Sequence, residues 1–172
     1  MKLHLGCGNY HIPGWINCDI YPPADKYFDI VQPMPFEDNS VDFIYSEHFL
    51  EHISVKEAKE FLLECVRILK VGGILRLSTP DLDVLVMDYV NKKLDRWDAD
   101  KWHPETPCQL MNEGMRSWGH QFIYDEPELL ALFKSLHLKA ERQVYHESKY
   151  LELKNIESRT YCGELIYEVA KS

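Results

Sequence analysis

The feature that most constrains this chain is a short apolar strand that runs straight into glycines. Lys2 to Leu5 reads as a buried strand, and it ends in Gly6-Cys7-Gly8-Asn9. In open α/β sheets ligands bind outside the carboxyl ends of the strands. Glycine at such an end permits positive φ and a close backbone approach. A second strand, Trp15 to Ile20, carries Asp19 near its end, where a carboxylate can accept from both hydroxyls of a ribose. The dinucleotide fingerprint G-x-G-x-x-G, with an acidic residue about 20 positions on, is not met. Its third glycine position holds His11, and Asp19 follows Gly8 by only eleven residues. Taken alone, G-x-G fits a plain tight turn equally well. Only Gly6 to Gly14 separates the two strands, whereas a parallel crossover usually takes a dozen or more residues, so the first helix is expected to be truncated to about one turn.

Further strands are expected at Phe28 to Val31 and at Val41 to Ser46, with a turn-rich loop between them. Ser54 and Glu57 make a capping-box pattern. Behind them Ala58, Phe61, Leu62, Cys65 and Leu69 repeat at helical spacing, with Gly72-Gly73 as the expected stop. Ile74 to Ser78 is the next strand. Pro80 opens another helix, with Thr79 as its cap and Leu82, Leu85, Val86 and Tyr89 on one face. Residues 95 to 119 are charged, Trp-rich and without clear period, which suggests a lid or insertion with a short helix over Glu105 to Arg116. Asp125 and Glu128 repeat the capping pattern before Leu129, Leu132, Phe133 and Leu136. Lys139 to Tyr145 and Tyr161 to Val169 are the last strands, antiparallel across a polar stretch. Strands alternating with helices predict an α/β fold with a mostly parallel sheet. No linker or repeat divides residues 1 to 172, so one domain is expected.

Charge and cysteine content narrow the partners. The net charge of −9 argues against binding nucleic-acid backbone, which needs clustered cations. Five cysteines, an odd number and without CxxC, argue against a disulfide framework or a zinc knuckle and for a reducing, cytoplasmic setting. No run of 18 apolar residues is present, so no membrane contact is expected. The N-terminus reaches its glycines too soon to accommodate a signal peptide. Monomer and homodimer both remain open, since Trp97, Trp102 and Trp118 suit a lid or a dimer contact.

Two motifs point elsewhere and are set aside. His48-Phe-Leu-Glu-His52 spells H-x-x-E-H, the pattern of inverted zinc peptidases. Catalytic zinc needs a third protein ligand. None is marked by spacing, and the helix starts only near Ser54, so no metal is expected. Thr106-Pro-Cys108 is like the Pro-Cys element of cytosine-5 methylating enzymes, but it lies in the insertion rather than after a core strand. No Asn-Pro-Pro-Tyr or Asp-Pro-Pro-Tyr follows the fourth strand.

Five segments together resemble the class I S-adenosylmethionine-dependent methyltransferases. They are Leu3 to Asn9, Met34-Pro-Phe36 leading to Ser40-Val-Asp-Phe43, Phe49-Leu-Glu-His52, Glu64 to Ile74, and Gly119 to Asp125. The likeness is to small type-11-like bacterial and archaeal members associated with polysaccharide or lipid-linked sugar biosynthesis. It implies a Rossmann-like, mostly parallel seven-stranded sheet with helices on both faces and an antiparallel C-terminal strand. It also implies that Gly6, Cys7 and Gly8 line the methionine part of S-adenosylmethionine. Asp19 would take the ribose and Ile20 the adenine, with Asp29 and Ile30 near that base. Ser46 and Glu47 would lie under the methionine end. Similar Leu-Glu-His stretches recur in these enzymes, which supports a bracing role for Glu51 and His52. The chain departs from the commoner pattern in having His4 where an acidic residue stands, and two loop glycines rather than three.

The expected activity is methyl transfer to a small-molecule acceptor, a hydroxyl of a sugar or glycan precursor. His120 is the candidate proton acceptor. Tyr10, His11, Trp118 and Tyr124 are candidate acceptor-binding residues. A non-catalytic protein that binds S-adenosylmethionine, and an H-x-x-E-H zinc hydrolase, are the rival readings.

Overall fold

Ser54 opens helix α1 (Val55–Ile68) in a computed structural model that describes residues 1–160 and 162–171. Its hydroxyl accepts from Glu57 N–H at 3.3 Å, and the Glu57 carboxylate accepts from Ser54 N–H at 2.8 Å. This reciprocal cap satisfies two donors that a helix start otherwise leaves unpaired. Behind it Ala58, Phe61, Leu62, Cys65 and Ile68 are buried. They face strands β1 (Lys2–Leu5), β4 (Val41–Glu47) and β5 (Leu69–Thr79) through Leu3, Leu5, Ile44, Leu75 and Leu77. Each such large side chain contributes roughly 1.5–3 kcal/mol on burial.

With β2 (Ile16–Asp19), β3 (Lys26–Tyr27), β6 (Lys139–Arg142) and β7 (Leu165–Ala170), these strands form one seven-stranded sheet ordered β3-β2-β1-β4-β5-β7-β6. The five strands from β3 to β5 pair in parallel, while β7 runs antiparallel to both β5 and β6. The order reverses direction between β1 and β4, the switch point at which such sheets bind ligands. Helix α4 (Glu126–Ser135), capped by Asp125, packs Leu129, Leu132 and Phe133 on the same core as α1. Helices α2 (Leu82–Asn91) and α3 (Pro107–Arg116) pack on each other. Their contact is close: a Cβ on Gly114 would stand 2.8 Å from Leu85.

Over β1, β4 and β5 the opposite face is covered by loops. Ile12, Trp15, Leu153 and Ile156 pack there on Tyr45 and Ile74. Beside them Arg76 is fully buried. Its Nε donates to Glu157 at 2.6 Å, its Nη1 to Glu168 and to the Glu147 carbonyl at 2.9 Å each, and its Nη2 to the Val144 carbonyl at 3.3 Å. This guanidinium pins the long β6–β7 connection against the sheet.

Several local expectations are corrected. No helical turn occupies residues 6–15; turns alone bridge β1 to β2. The third strand lies at Lys26–Tyr27 rather than Phe28 to Val31, because Asp29 starts a turn there: its side chain accepts from Val31 N–H and its carbonyl from Gln32 N–H. Helix α1 stops at Ile68, before the glycine pair. Leu69 already pairs with Val41, and Gly72-Gly73 sits in the bulge before Ile74 meets Phe43. A Cβ on Gly73 would come within 2.9 Å of the Lys70 carbonyl. Asp81, not Thr79, caps α2, while Thr79 ends β5 and donates to Glu51 at 3.0 Å. Helix α2 buries Leu85 and Asp88 and leaves Val86 and Tyr89 exposed. Tyr161, the expected start of the last strand, lies outside the described residues.

Candidate functional site

Glycine is required where β1 ends. Gly6 has φ +70, and a Cβ there would press on the Phe49 ring at 3.2 Å. Its N–H and that of Cys7 both donate to the Cys18 carbonyl, which folds the loop onto the end of β2. Gly8, φ +50, donates its N–H to Asp19 Oδ2 at 2.9 Å, and Tyr21 N–H donates to Oδ1 at 3.1 Å. A carboxylate oxygen has two lone pairs, so both Asp19 oxygens keep acceptor capacity toward the cavity. The Cys7 thiol is pushed up to about 11 by burial, with the Asp19 charge adding to it, which disfavours the thiolate.

These residues line a cavity of about 980 Å³ at the carboxyl ends of β1, β2 and β4. The structure brings Gly6, Cys7, Gly8, Asp19, Ile20, Asp29, Ile30 and Glu47 together on it, with Tyr10 at its side. Ser46 is not on it; strand alternation points its side chain to the buried face of β4. His11 is not on it either, since its Nε2 engages the Pro23 carbonyl at 2.7 Å. The sequence reading missed Phe49, His52, Ser158 and Arg159, which also line the cavity. Glu47 draws in the last two: it accepts from the Ser158 hydroxyl and N–H and from Arg159 N–H. No local pattern in the polar 146–160 stretch signals that contact.

A second cavity of about 490 Å³ adjoins the first, and His48, His52 and Arg159 line both. Its walls are Trp97, Trp102 and Trp118, with His120, Ile123, Lys101 and Glu51. The Trp102 and Trp118 rings meet edge to face at 5.1 Å, and Trp118 lies 5.5 Å from His120. Trp118 and His120 thus sit together, apart from Tyr10. Tyr124 belongs to neither cavity. It follows Ile123 in extended chain, so Ile123 faces the cavity and Tyr124 the core, fully buried on Phe122 at 4.8 Å.

The H-x-x-E-H segment is not an α-helix. Leu50–His52 forms one 3-10 turn, and His48 leaves β4 with φ +51. Burial alone would drive His48 below its usual range, but the flanking carboxylates of Glu164 and Glu51 override it and raise it to about 9. Burial would likewise lift the Glu51 carboxyl, and the His48 charge instead holds it low. The Glu51 carbonyl accepts from Gln121 and Phe122 N–H, and the His52 carbonyl from Gln121 Nε2, at 2.7–3.2 Å. That clasp sets the His52 and His120 rings 4.9 Å apart.

Residues 3–77 match the family model described as a methyltransferase domain. A mouse protein described as "Probable tRNA methyltransferase 9B" is 30% identical over 89 residues, 51% of this chain and 19% of that protein. The chain spans between 19% and 23% of the length of the curated relatives it matches. Among solved structures, an S-adenosylmethionine-dependent methyltransferase of Thermotoga maritima superposes with TM-score 0.61 at 14% identity, covering 99% of this chain and 82% of that one. A methyltransferase of Haloferax volcanii, in complex with the Trm112 methyltransferase activator, gives 0.60 at 15% identity, covering 99% and 81%. The chain has the Rossmann-like methyltransferase fold. No helix among the described residues is long and apolar enough to cross a membrane.

Proposed function

We propose that the chain methylates a hydroxyl of a small-molecule acceptor, a sugar or glycan precursor, using S-adenosylmethionine held in the larger cavity. The observation that carries this reading is that the two cavities share His48, His52 and Arg159 in their walls. The larger fits the cofactor: Gly8 leaves open space where a Cβ would stand, and Asp19 retains acceptor capacity for ribose hydroxyls. When bound, S-adenosylmethionine supplies a methyl group that its sulfonium makes electrophilic.

The protein's part is to align the acceptor and exclude water, which can supply on the order of 7–11 kcal/mol at best. Tryptophan faces suit the C–H faces of a sugar ring, while Lys101 and Arg159 suit an anionic substituent. His120 Nδ1 lies 2.8 Å from the Gly114 carbonyl, which can only accept, so Nδ1 donates and Nε2 keeps the lone pair that can take a hydroxyl proton. Residues 95 to 119, which carry all three tryptophans, act as the lid of this cavity. A screen of sugar nucleotides for S-adenosylhomocysteine release tests the reading. His120→Ala is expected to cut turnover at least tenfold with cofactor affinity within twofold of wild type. Turnover on amine or carboxylate acceptors alone would rule out the hydroxyl assignment.

A further inference from the structure

The tryptophan-walled cavity holds a donor set of which methyl transfer as described uses only His120. A Glu51 carboxylate oxygen, His52 and His120 offer ligand atoms that all lie within 4.8 Å of one another. The Glu51 side chain is fully buried, and its Oε1 makes no hydrogen bond. The His48 ring stands 3.2 Å from that oxygen, close enough for charge attraction but not aligned as a hydrogen bond. The other oxygen, Oε2, is held by the Thr79 hydroxyl. A carboxylate oxygen has two lone pairs, so with His48 beside it Oε1 still has acceptor capacity to offer.

We infer that Glu51, His52 and His120 form a site for one divalent transition-metal ion opening into the tryptophan-walled cavity. Two imidazoles and one carboxylate with open positions are the donor set of catalytic zinc and of non-haem iron sites. The Gly114 carbonyl can only accept, so His120 Nδ1–H donates to it and Nε2 keeps its lone pair for a ligand bond. Metal-binding histidines are regularly oriented in this manner. The clasp of Gln121 and Phe122 on Glu51 fixes the two segments that carry the ligands. With metal–ligand bonds of about 2.1 Å, tetrahedral donors stand about 3.4 Å apart. The three atoms must therefore close in, and the His52 side chain, 32% exposed, has room to rotate.

The spacing of H-x-x-E-H suggests His48 and His52 as the pair. The fold instead turns His48 toward Glu164 and brings His120 from 68 residues away in the sequence. The role of the ion rests on the hydroxyl-methylation reading. An acceptor oxygen on an open position would be positioned and made acidic, and His120 would then be a ligand rather than the proton acceptor.

The test titrates the chelator-treated full chain with Co²⁺ and then Zn²⁺, reading calorimetry and the visible Co²⁺ spectrum, with cofactor binding measured separately. One ion per chain is expected, at micromolar affinity because Arg159 shares the cavity. The Co²⁺ bands should be those of a four- or five-coordinate N/O site. His120→Ala and His52→Ala should each weaken binding at least tenfold while retaining the wild-type circular dichroism, and His137→Ala should not. Affinity poorer than about 100 µM (weaker than about −5.5 kcal/mol), or equal affinity in the His52 and His120 variants, would overturn the site. Intact cofactor binding beside absent metal binding removes the metal site and leaves the methyltransferase reading standing.

Discussion

Single residues on the β1 and β2 ends show how much the site asks of the fold. His4, within β1, is 2% exposed and donates from Nδ1 to Asn17 at 3.3 Å. Burial lowers it to about 4, against 6.5 for a free imidazole. The folded chain therefore holds it neutral, while the unfolded chain takes up its proton near pH 6.5. Stability from this residue is complete above that pH and is lost as pH falls toward 4, by up to about 3 kcal/mol. Urea unfolding from pH 7 to 4 should show this slope, and His4→Gln should flatten it. An unchanged acid limb in the variant would show that His4 does not titrate as described. The glycines and Asp19 could be placed at strand ends from the sequence because a strand end announces itself locally. Ser46 and Tyr124 lie off both cavities, because one step along an extended chain reverses which face a side chain meets.

Among the elements, the capped helices were the most legible and the connections the least. Ser54 with Glu57, and Asp125 with Glu128, are contacts over three residues, so the sequence alone determines them. The two-residue strand β3 and the early end of α1 depend on pairing with distant strands, which no local pattern encodes. The same holds for the β6–β7 connection, whose delivery of Ser158 and Arg159 relies on Arg76. Replacing Arg76 with Leu leaves Glu157 and Glu168 buried without their partner, at a cost of about 3–5 kcal/mol. Arg76→Lys should not rescue it, since one ammonium cannot reproduce the planar fork. Denaturant titration reads the loss directly, and a loss under about 1 kcal/mol would mean the connection is held by its apolar contacts alone.

At the scale of the molecule, the sheet order places every strand end that matters on one edge, and the loops there divide one opening into two adjoining cavities. The order of elements was readable because strands and helices alternate, whereas the second cavity was not. Its tryptophans come from an insertion without periodicity, and it takes shape only where that insertion meets His48, Glu51 and His52. The account depends above all on the larger cavity holding S-adenosylmethionine through Asp19. Calorimetric titration with S-adenosylmethionine and S-adenosylhomocysteine, with NAD as control, tests this on the wild type and on Asp19→Ala. Micromolar binding of both sulfur ligands and none of NAD is predicted. The variant, folded by circular dichroism, should bind at least tenfold more weakly, a loss of about 1.4 kcal/mol or more. Absence of binding to either sulfur ligand, or equal affinity in the folded variant, would contradict the account.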